Sequence, residues 1–406
     1  MRTIVASLLS LLVAGAGNAA DWPQWLGPTR NGVSTESVKP WNGELQVLWR
    51  QSLGEGHSSP VVAGGNVYVH AKVAGKDEEE LIAFDFHTGK EVWRRSYPRA
   101  SFTSVFGDGP RATPAVVDGR IYALGVTGVL SCQDAGDGKP LWSIDTLKDC
   151  NAPNLKFGVS ASPLVDGDNV IVCPGGKGAS IVAYRRSDGK GVWRSLDDPA
   201  SYSSPIIVSR GDQRQLICVT QQGVVSLDPQ AGKLRWRSPM VDLLNESSTT
   251  PVNLGDMVLA GSVTFGSVGL RLQQQPPGMT RVWKNPLLTC YFSTPVPAAK
   301  QSVYMVTGTI IPPPQATLRC VDVQTGKELW HKEKIGKYHA SMIRTANDKI
   351  LLLEDSGGLA LVEPSDKEYR ELCRCNVCGQ AWAHPALADG CLVVRDDKEV
   401  ICLKLP

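Results

Sequence analysis

One nine-residue phrase recurs along the chain and constrains its fold more than any other feature. It reads DFHTGKEVW at residues 85–93 and returns as DAGDGKPLW, RRSDGKGVW, DPQAGKLRW and DVQTGKELW. Before each phrase, a small residue and a proline open a segment of alternating apolar residues, which is the pattern of a half-buried strand. Successive prolines lie roughly 42 to 54 residues apart. This period is typical of four-stranded propeller blades rather than of helical solenoids.

Eight repeats can be counted from two markers. The first marker is the strand-opening proline, at Pro60, Pro114, Pro163, Pro205, Pro251, Pro295 and Pro385, with Met342 in the remaining slot. The second is the tryptophan that ends each phrase, at Trp49, Trp93, Trp142, Trp193, Trp236, Trp283 and Trp330, with a degenerate slot near Cys373. The last repeat ends without a tryptophan strand, and the strand around Trp49 has no repeat of its own. We therefore predict an all-β, eight-bladed β-propeller of four-stranded blades, in which the N-terminal strand completes the last blade and removes the open edges.

The phrase itself predicts a structural role. The aspartate and the Thr88–Gly89 pair form a tight turn between the third and fourth strands, where glycine adopts a positive φ at no steric cost. Trp93 then lies on the outer strand and packs between blades. A ligand site would not need the same residues on every blade, whereas contacts between blades would.

The N-terminus predicts export. Residues 1–20 join a basic head at Arg2, an apolar run and a small-residue exit, which is the pattern of a signal peptide cleaved before Asp21. We assign residues 21–43 to an N-terminal extension and residues 44–406 to the propeller. The first cysteine is Cys132, so a lipid anchor at the cleavage site is not expected. A formal charge of +2 gives no footprint for nucleic acid. We expect a secreted or periplasmic monomer with no transmembrane segment.

The phrase A-x-D-x-x-T-G-K-x-x-W resembles the repeat of pyrroloquinoline quinone (PQQ) proteins, in which the tryptophan docks neighbouring blades. The opening DWPQWLGPTRNGVS and GPRATP at 109–114 resemble exported PQQ-like propellers of planctomycete bacteria. The resemblance runs from about Asp21 to the C-terminus and implies the propeller fold. Its members include both dehydrogenases and assembly scaffolds, so it implies no functional residue by itself.

The dehydrogenase alternative implies PQQ and calcium as cofactors. PQQ alcohol dehydrogenases typically stack the cofactor against a disulfide of adjacent cysteines, hold calcium with carboxylate and amide oxygens, and use an aspartate as base. This chain has no Cys-Cys pair, and CNVCG lacks the histidine of a haem attachment motif. No cofactor is therefore assigned, and PQQ with calcium remains the alternative.

Positions of the repeat at which the residue differs from blade to blade mark a candidate binding site. The residue three positions before each strand-opening proline, or before Met342, lies on the loop entering the innermost strand, near the channel mouth. Around the ring these residues are His57, Arg111, Ser160, Tyr202, Ser248, Phe292, His339 and Trp382. Such a set suits a planar anion, with Arg111 pairing with carboxylates and the aromatic rings stacking. The alternative is that this position is simply a variable loop. No catalytic residue is assigned, because a histidine acts as a base only within reach of a substrate.

Two neighbouring connections are longer than the rest, Arg94 to Ala112 and Ser143 to Ala161. Long loops in compact domains are often functional, and we expect both to overhang the mouth. The first carries Arg95 and Arg99 as candidate rim residues that would suit an acidic or aromatic molecule or a partner loop. Its alternative reading is surface arginines between buried aromatic residues.

Eleven cysteines are many for an exported chain. The dense group Cys373, Cys375 and Cys378 predicts a disulfide in an oxidising compartment. The alternative is a zinc site completed by His384 or Cys391, although this spacing is not an established one. No other metal site is predicted.

These observations favour an exported PQQ-like propeller that acts as a binding or scaffold module. Its partner would be a cell-envelope protein, or a small ligand at the channel mouth. A PQQ- and calcium-dependent alcohol or sugar dehydrogenase is the alternative.

Overall fold

The computed structural model describes residues 21–274, 276–298, 301–309 and 313–406. The predicted signal peptide, residues 1–20, lies outside the described residues. Across the described chain, thirty-two strands form eight antiparallel sheets of four strands each. The eight-bladed propeller is therefore confirmed.

The strands follow each other blade by blade. The first strand, β1 (Gln46–Ser52), belongs to blade 8. Blade 1 contains β2 (Val61–Ala63), β3 (Asn66–Lys72), β4 (Glu78–Asp85) and β5 (Glu91–Pro98). Blade 2 contains β6 (Ala115–Val117), β7 (Arg120–Leu124), β8 (Val129–Asp134) and β9 (Pro140–Asp145), followed by the helical turn α1 (Thr146–Asp149). Blade 3 contains β10 (Leu164–Asp166), β11 (Asn169–Val172), β12 (Ile181–Arg185) and β13 (Gly191–Ser195). Blade 4 contains β14 (Ile206–Arg210), β15 (Gln213–Thr220), β16 (Gly223–Leu227) and β17 (Leu234–Pro239).

The second half repeats this order. Blade 5 contains β18 (Val252–Asn253), β19 (Met257–Ser262), β20 (Gly266–Gln273) and β21 (Gly278–Asn285). Blade 6 contains β22 (Val296–Pro297), β23 (Ser302–Thr309), β24 (Gln315–Asp322) and β25 (Glu328–Glu333). Blade 7 contains β26 (Ala340–Arg344), β27 (Ile350–Glu354), β28 (Gly358–Val362) and β29 (Glu371–Asn376). Blade 8 contains β30 (Ala386–Ala388), β31 (Cys391–Arg395) and β32 (Glu399–Lys404).

The N-terminal strand closes the ring as predicted. Strand β1 pairs antiparallel with β32, in a register that runs from Gln46 opposite Lys404 to Ser52 opposite Glu399. Blade 8 is thus built from both ends of the propeller. The ring is thus closed, and β1 becomes the short outer edge strand of blade 8, as β5 is of blade 1.

The repeated phrase holds the blades together. In the first copy, the backbone N–H of Thr88 donates to the Asp85 carboxylate at 2.8 Å, and Gly89 adopts a φ of 69°. A Cβ at Gly89 would lie 2.6 Å from the indole of Trp49 on the preceding blade. The Trp49 indole N–H donates to the Phe86 carbonyl at 2.8 Å. The glycine thus permits both the turn and the close approach of the tryptophan.

The same docking recurs around the ring. Trp93, Trp142, Trp193, Trp283 and Trp330 donate to the carbonyls of Ala135, Arg186, Pro229, Val323 and Ser365, each on the next blade. Trp236 differs, because its indole donates to the Gln215 side chain within its own blade. In blade 7, Cys373 occupies the tryptophan position opposite Leu361.

The N-terminal extension crosses the central channel, which the sequence did not indicate. Trp22 exchanges two backbone hydrogen bonds of 2.9 Å with Val62 of blade 1. Arg30 is buried, and its guanidinium donates to the carbonyls of Ser162, Pro163 and Pro205, where blades 3 and 4 begin. Further along, Ser34 donates its backbone N–H to Arg344 of blade 7 at 2.8 Å. We call residues 22–34 the channel plug.

Candidate functional site

A cavity lies at the channel mouth, where the loops that enter the inner strands converge. Its volume is about 910 Å³, including the open space at its mouth. Seven of the eight predicted ring residues line it: His57, Arg111, Ser160, Tyr202, Ser248, Phe292 and Trp382. The other lining residues are Trp25, Phe106, Phe157, Ser162, Ser204, Glu246 and Tyr291. We call this cavity the mouth pocket.

The two long connections meet over one side of the mouth pocket. Phe106, from the first connection, makes an edge-to-face contact with Phe157 from the second, at 5.5 Å between ring centroids. Phe106 also contacts Trp382 at 5.8 Å. The predicted overhang of the mouth therefore corresponds to this aromatic contact.

Trp382 contacts aromatic side chains from several blades. Its indole stacks on His57 at 5.4 Å and contacts Phe292 at 5.5 Å, measured between centroids. His339, the predicted ring residue that does not line the mouth pocket, lies behind this indole at 5.0 Å. Aromatic faces on several sides suit a planar or apolar group.

Arg111 supplies a fixed positive charge. Its guanidinium donates to the carbonyls of Gly109 and Gly107 at 2.8 and 2.9 Å, and more weakly to Phe106. These bonds tie the first long connection together. Within the described chain Arg111 forms no ion pair, and its Nε makes no hydrogen bond. Burial lowers the pKa of Arg111, because the charged form loses hydration. The carboxylates of Glu55 and Asp108 offset part of that loss.

The two ring histidines are neutral at physiological pH. Burial lowers the pKa of His57 to about 3, assisted by the positive charges of Arg111 and Arg395. Burial also lowers the pKa of His339 to about 4, despite the nearby Asp355 carboxylate. Neither imidazole adds a positive charge to the pocket, so Arg111 is the cation of this wall.

A carboxylate lies on the far side of the pocket. Glu246 accepts a hydrogen bond from the Tyr291 hydroxyl and lies 3.7 Å from the Lys156 ammonium. The Lys156 ammonium also lies 4.8 Å from the centroid of the Phe157 ring. Glu246 is therefore partly neutralised by this chain. Arg111 has no ion pair within the described residues, but the carboxylates of Glu55 and Asp108 act on it at longer range.

The channel plug forms the floor. The Trp25 indole N–H donates to the Thr250 hydroxyl of blade 5 at 2.9 Å, and its ring contacts His384 at 5.7 Å. A Cβ at Gly27 would lie 2.8 Å from the Trp22 ring, so the turn after Trp25 also requires glycine. Trp25 is the plug residue that lines the pocket.

The predicted rim arginines lie elsewhere. Arg95 is on outer strand β5 and donates to the Asp137 carbonyl of the next blade at 2.9 Å. Arg99 has a fully buried side chain, 3.9 Å from the Asp77 carboxylate. Neither lines the mouth pocket: Arg95 belongs to β5, which ends at Pro98, and the Arg99 side chain is buried.

Glu246, Tyr291 and Trp25 were missed by the sequence reasoning. Glu246 and Tyr291 belong to the mouth-side connections, but at offsets that the proline-based rule does not sample. Trp25 lies in an aperiodic segment, and two tryptophans next to glycine and proline in DWPQWLGP were the available signal.

The cysteine cluster contains no disulfide. Cys373, Cys375 and Cys378 are all free thiols. Cys373 and Cys375 lie two residues apart on β29. Cα atoms at this spacing along a strand are about 6.8 Å from each other, which is near the upper limit for a disulfide. The Cys373 sulfur instead accepts a hydrogen bond from the Trp41 backbone at 3.4 Å. Burial raises the pKa of the Cys378 thiol to about 12, so it is a poor nucleophile.

The zinc alternative is not supported. His384 lies between the carbonyls of Pro385 and Met342, at 2.9 and 3.0 Å from its two ring nitrogens. Within the part of the chain that the structure describes, no three histidine, cysteine or acidic side chains form a group that could hold a metal.

The mouth pocket does not fit calcium and PQQ. Calcium takes six to eight oxygen ligands, mainly carboxylates and carbonyls. The pocket has one carboxylate, Glu246, and this is engaged by Tyr291 and Lys156. The donor set therefore suits an anionic or apolar group rather than a metal-dependent quinone.

Exposed apolar side chains lie both on the outer strands and in the connections between blades. Nine of the fourteen large ones in the described chain lie on outer strands, for example Val92 and Val192 beside the docking tryptophans. The other five lie in connections between blades: Val105, Val241, Leu243, Leu244 and Leu287. Leu243 and Leu287 are 82% and 77% exposed. We call these five residues the mouth-face apolar set.

Among the described residues, no helix has the length and apolar character needed to span a bilayer.

Known proteins place the chain in a family. The outer membrane protein assembly factor BamB of Burkholderia pseudomallei (strain K96243) is 26% identical over 368 residues, covering 86% of this chain and 85% of that protein. The structure of BamB from Moraxella catarrhalis covers 89% of this chain and 98% of its own, with a TM-score of 0.63 and 16% identity. A quinohemoprotein alcohol dehydrogenase from Comamonas testosteroni covers 95% and 80%, with a TM-score of 0.71 and 14% identity. At these identities the two structures show a shared fold.

The family model provides the assignment. A model described as "Outer membrane protein assembly factor BamB" matches residues 44–107 and 78–332. The resemblance to PQQ-like repeat proteins is thereby confirmed, and the chain belongs to the PQQ-like repeat family of outer membrane protein assembly factor BamB.

Proposed function

We propose that this protein is an exported binding propeller that docks a cell-envelope protein on its mouth face. The mouth-face apolar set carries the proposal. All five of its residues lie in connections between blades, and Val105 and Leu243 are more than 80% exposed. Val241, Leu243 and Leu244 belong to the same connection and are all exposed, and neighbouring exposed apolar side chains mark interaction surfaces more often than scattered ones do.

The location follows from two observations. Residues 1–20 have the pattern of a signal peptide, and relatives that match most of the chain are named outer membrane protein assembly factors. The envelope between the membranes is therefore where we place the protein. We propose that it acts there as a monomer, because its ring is closed by its own N-terminal strand.

The mouth pocket would serve this docking as an anchor site. Its aromatic walls and the unpaired Arg111 guanidinium suit an apolar group that carries a negative charge. The same chemistry would accept a free small ligand. A dehydrogenase would instead need a catalytic base and a metal site. The two ring histidines would be weak bases, because burial lowers their pKa values to about 3 and about 4.

Site-directed photocross-linking in intact cells tests the docking face. A benzophenone amino acid would replace Leu243 or Leu287 on the mouth face, and Val192 on an outer strand, which is 45% exposed, as the control away from the mouth. We expect the two mouth positions to cross-link the same cell-envelope protein, and the control to leave it uncross-linked. Cross-linking of that protein from Val192 alone would place the docking surface on the outer strands and contradict the proposal.

A further inference from the structure

Two buried cysteines from neighbouring blades lie in contact beside the channel plug. Cys173 directly follows β11 of blade 3, and Cys218 lies on β15 of blade 4. Both are free thiols in the structure and belong to one apolar cluster between these two blades. Their sulfur atoms are close enough to share a hydrogen bond. The two residues are therefore a thiol pair that spans two blades, rather than two separate core residues.

The strand register places both thiols beside the same plug residue. Continued by two residues, the register of β10 with β11 puts Cys173 opposite Ser162. Continued by one residue, the register of β14 with β15 puts Cys218 opposite Pro205. Arg30 donates to the carbonyls of both Ser162 and Pro205. The two cysteines thus lie at nearly the same height in their blades, where the plug crosses the channel wall.

Blades 3 and 4 are close together at this height. The backbone N–H of Ser162 in blade 3 donates to the Ser204 hydroxyl in blade 4 at 2.9 Å. Packed sheets are normally about 10 Å apart, so this direct bond requires a closer approach. A narrow gap is what a disulfide between blades needs, because its Cα atoms lie about 4.4–6.8 Å apart.

A second thiol pair has a similar contact but a different strand geometry. Cys391 and Cys402 lie on adjacent strands of blade 8, and their thiols also share a hydrogen bond. Cys391 is opposite Lys404, and Cys402 is opposite Val393, so the two cysteines are diagonal neighbours. Diagonal Cα atoms lie about 7–8 Å apart, which is beyond the usual span of a disulfide. We therefore expect this pair to remain reduced.

Burial determines when a bond between Cys173 and Cys218 can form. Thiol–disulfide exchange requires a thiolate, and burial raises the pKa of the Cys218 thiol well above its usual range. Oxidation is therefore fast only during folding, before blades 3 and 4 dock. After docking, the same burial keeps reductants away from the bond.

We propose that Cys173 and Cys218 form a disulfide that covalently joins blades 3 and 4 beside Arg30 of the channel plug. The two thiols lose two protons and two electrons and form one S–S bond. The oxidant is another disulfide, whose own S–S bond breaks and whose two sulfurs leave as thiols. The new bond holds together the two strands whose carbonyls bind the plug. This inference goes beyond the proposed docking and requires only an oxidising compartment.

Peptide mapping tests the proposal on the full mature chain, refolded from the reduced and unfolded state in glutathione disulfide. Alkylation blocks the remaining thiols before digestion. We expect the main cross-linked peptide to join Cys173 to Cys218, and Cys391 and Cys402 to be recovered as alkylated thiols. Recovery of Cys173 and Cys218 mainly in the alkylated form would overturn the proposal, and so would preferential linkage of Cys391 to Cys402.

Urea unfolding gives a second readout, because the bond closes a long loop and restricts the unfolded chain. A reductant should lower the urea midpoint of the oxidised wild type and of the matched control Cys391→Ala, but not that of Cys173→Ala. A reductant effect that persists in Cys173→Ala would assign the stabilisation to another bond and contradict the proposal. The peptide map of the wild type decides the proposal even if Cys173→Ala fails to fold.

The same map on protein recovered from the cell envelope separates this inference from the proposed location. A link that forms in vitro but is missing in cells would refute the oxidising location and support the pairing. A link missing in both would refute the pairing, whereas cross-linking from Leu243 would still decide the docking face.

Discussion

The contact between Gly89 and Trp49 predicts how much the repeated phrase stabilises the ring. Gly89 has a φ of 69°, and Gly119 has a nearly identical φ of 70° in a turn between the first two strands of blade 2. A Cβ at Gly89 would lie 2.6 Å from the Trp49 indole, whereas a Cβ at Gly119 would have no heavy atom within 4 Å. The two glycines therefore share a backbone conformation and differ in packing.

Alanine at the two positions separates these effects. Gly119→Ala should cost about 1–2 kcal/mol in free energy of unfolding, the penalty of a left-handed conformation for a residue with a Cβ. Gly89→Ala adds a clash with a buried ring, for which overpacking costs typically about 1–3 kcal/mol. We therefore expect Gly89→Ala to lose about 2–5 kcal/mol.

Urea unfolding of both variants is the assay, with the tryptophan truncation as a second arm. Trp49→Gly removes both the ring and the Cβ that the new methyl group meets, so Gly89→Ala should cost about the same as Gly119→Ala in that background. The coupling should thus be about 1–3 kcal/mol. Equal costs for Gly89→Ala and Gly119→Ala in the wild-type chain would refute the role of this glycine in blade docking.

Three further predictions concern the site. Because burial lowers the folded pKa of His57 to about 3 and of His339 to about 4, the unfolded chain binds more protons below about pH 6.5. The free energy of unfolding should therefore fall between pH 6.5 and 5 by up to about 1.4 kcal/mol per pH unit for each histidine, and urea titrations of His57→Asn should show a shallower dependence. Arg30→Leu leaves three carbonyls of the channel wall without their donor. This change should lower the free energy of unfolding, measured in urea, by at least about 2 kcal/mol. The exposed control Arg50→Leu should lower it by less than about 1 kcal/mol. Calorimetric titration with PQQ should give the same result with and without calcium, and calcium-dependent binding at micromolar affinity would favour the dehydrogenase alternative.

The regular part of the fold could be predicted from the sequence because each blade repeats the same physical constraints. A proline marks the start of the inner strand, and a tryptophan needs a glycine-containing turn on the next blade. Both constraints appear at fixed spacing, as at Pro60 and Trp93. The same spacing located seven residues of the mouth pocket, since they share one offset from the strand start.

The channel plug and the far wall could not be predicted in this way. Trp25 and Arg30 belong to a segment without periodicity, and their partners are carbonyls and hydroxyls that lie more than 130 residues away in sequence. The rim role of Arg95 and Arg99 stays a prediction. The mouth pocket gives it no support, since Arg95 lies on β5 and the Arg99 side chain is buried. The cysteine cluster suggested a disulfide, but the strand geometry of Cys373 and Cys375 instead places these thiols in packing contacts.

The most direct test of the docking face is the affinity of the purified protein for the envelope partner that Leu243 cross-links. Isothermal titration would compare the wild type with the Leu243→Asp/Leu287→Asp double variant and with the Val192→Asp/Leu329→Asp control, which changes two apolar positions on outer strands that are 45% and 43% exposed. Binding through the mouth face predicts at least a tenfold loss for the first variant and wild-type affinity for the control. Wild-type affinity of the mouth variant, together with a loss of affinity in the control, would contradict docking through the mouth face.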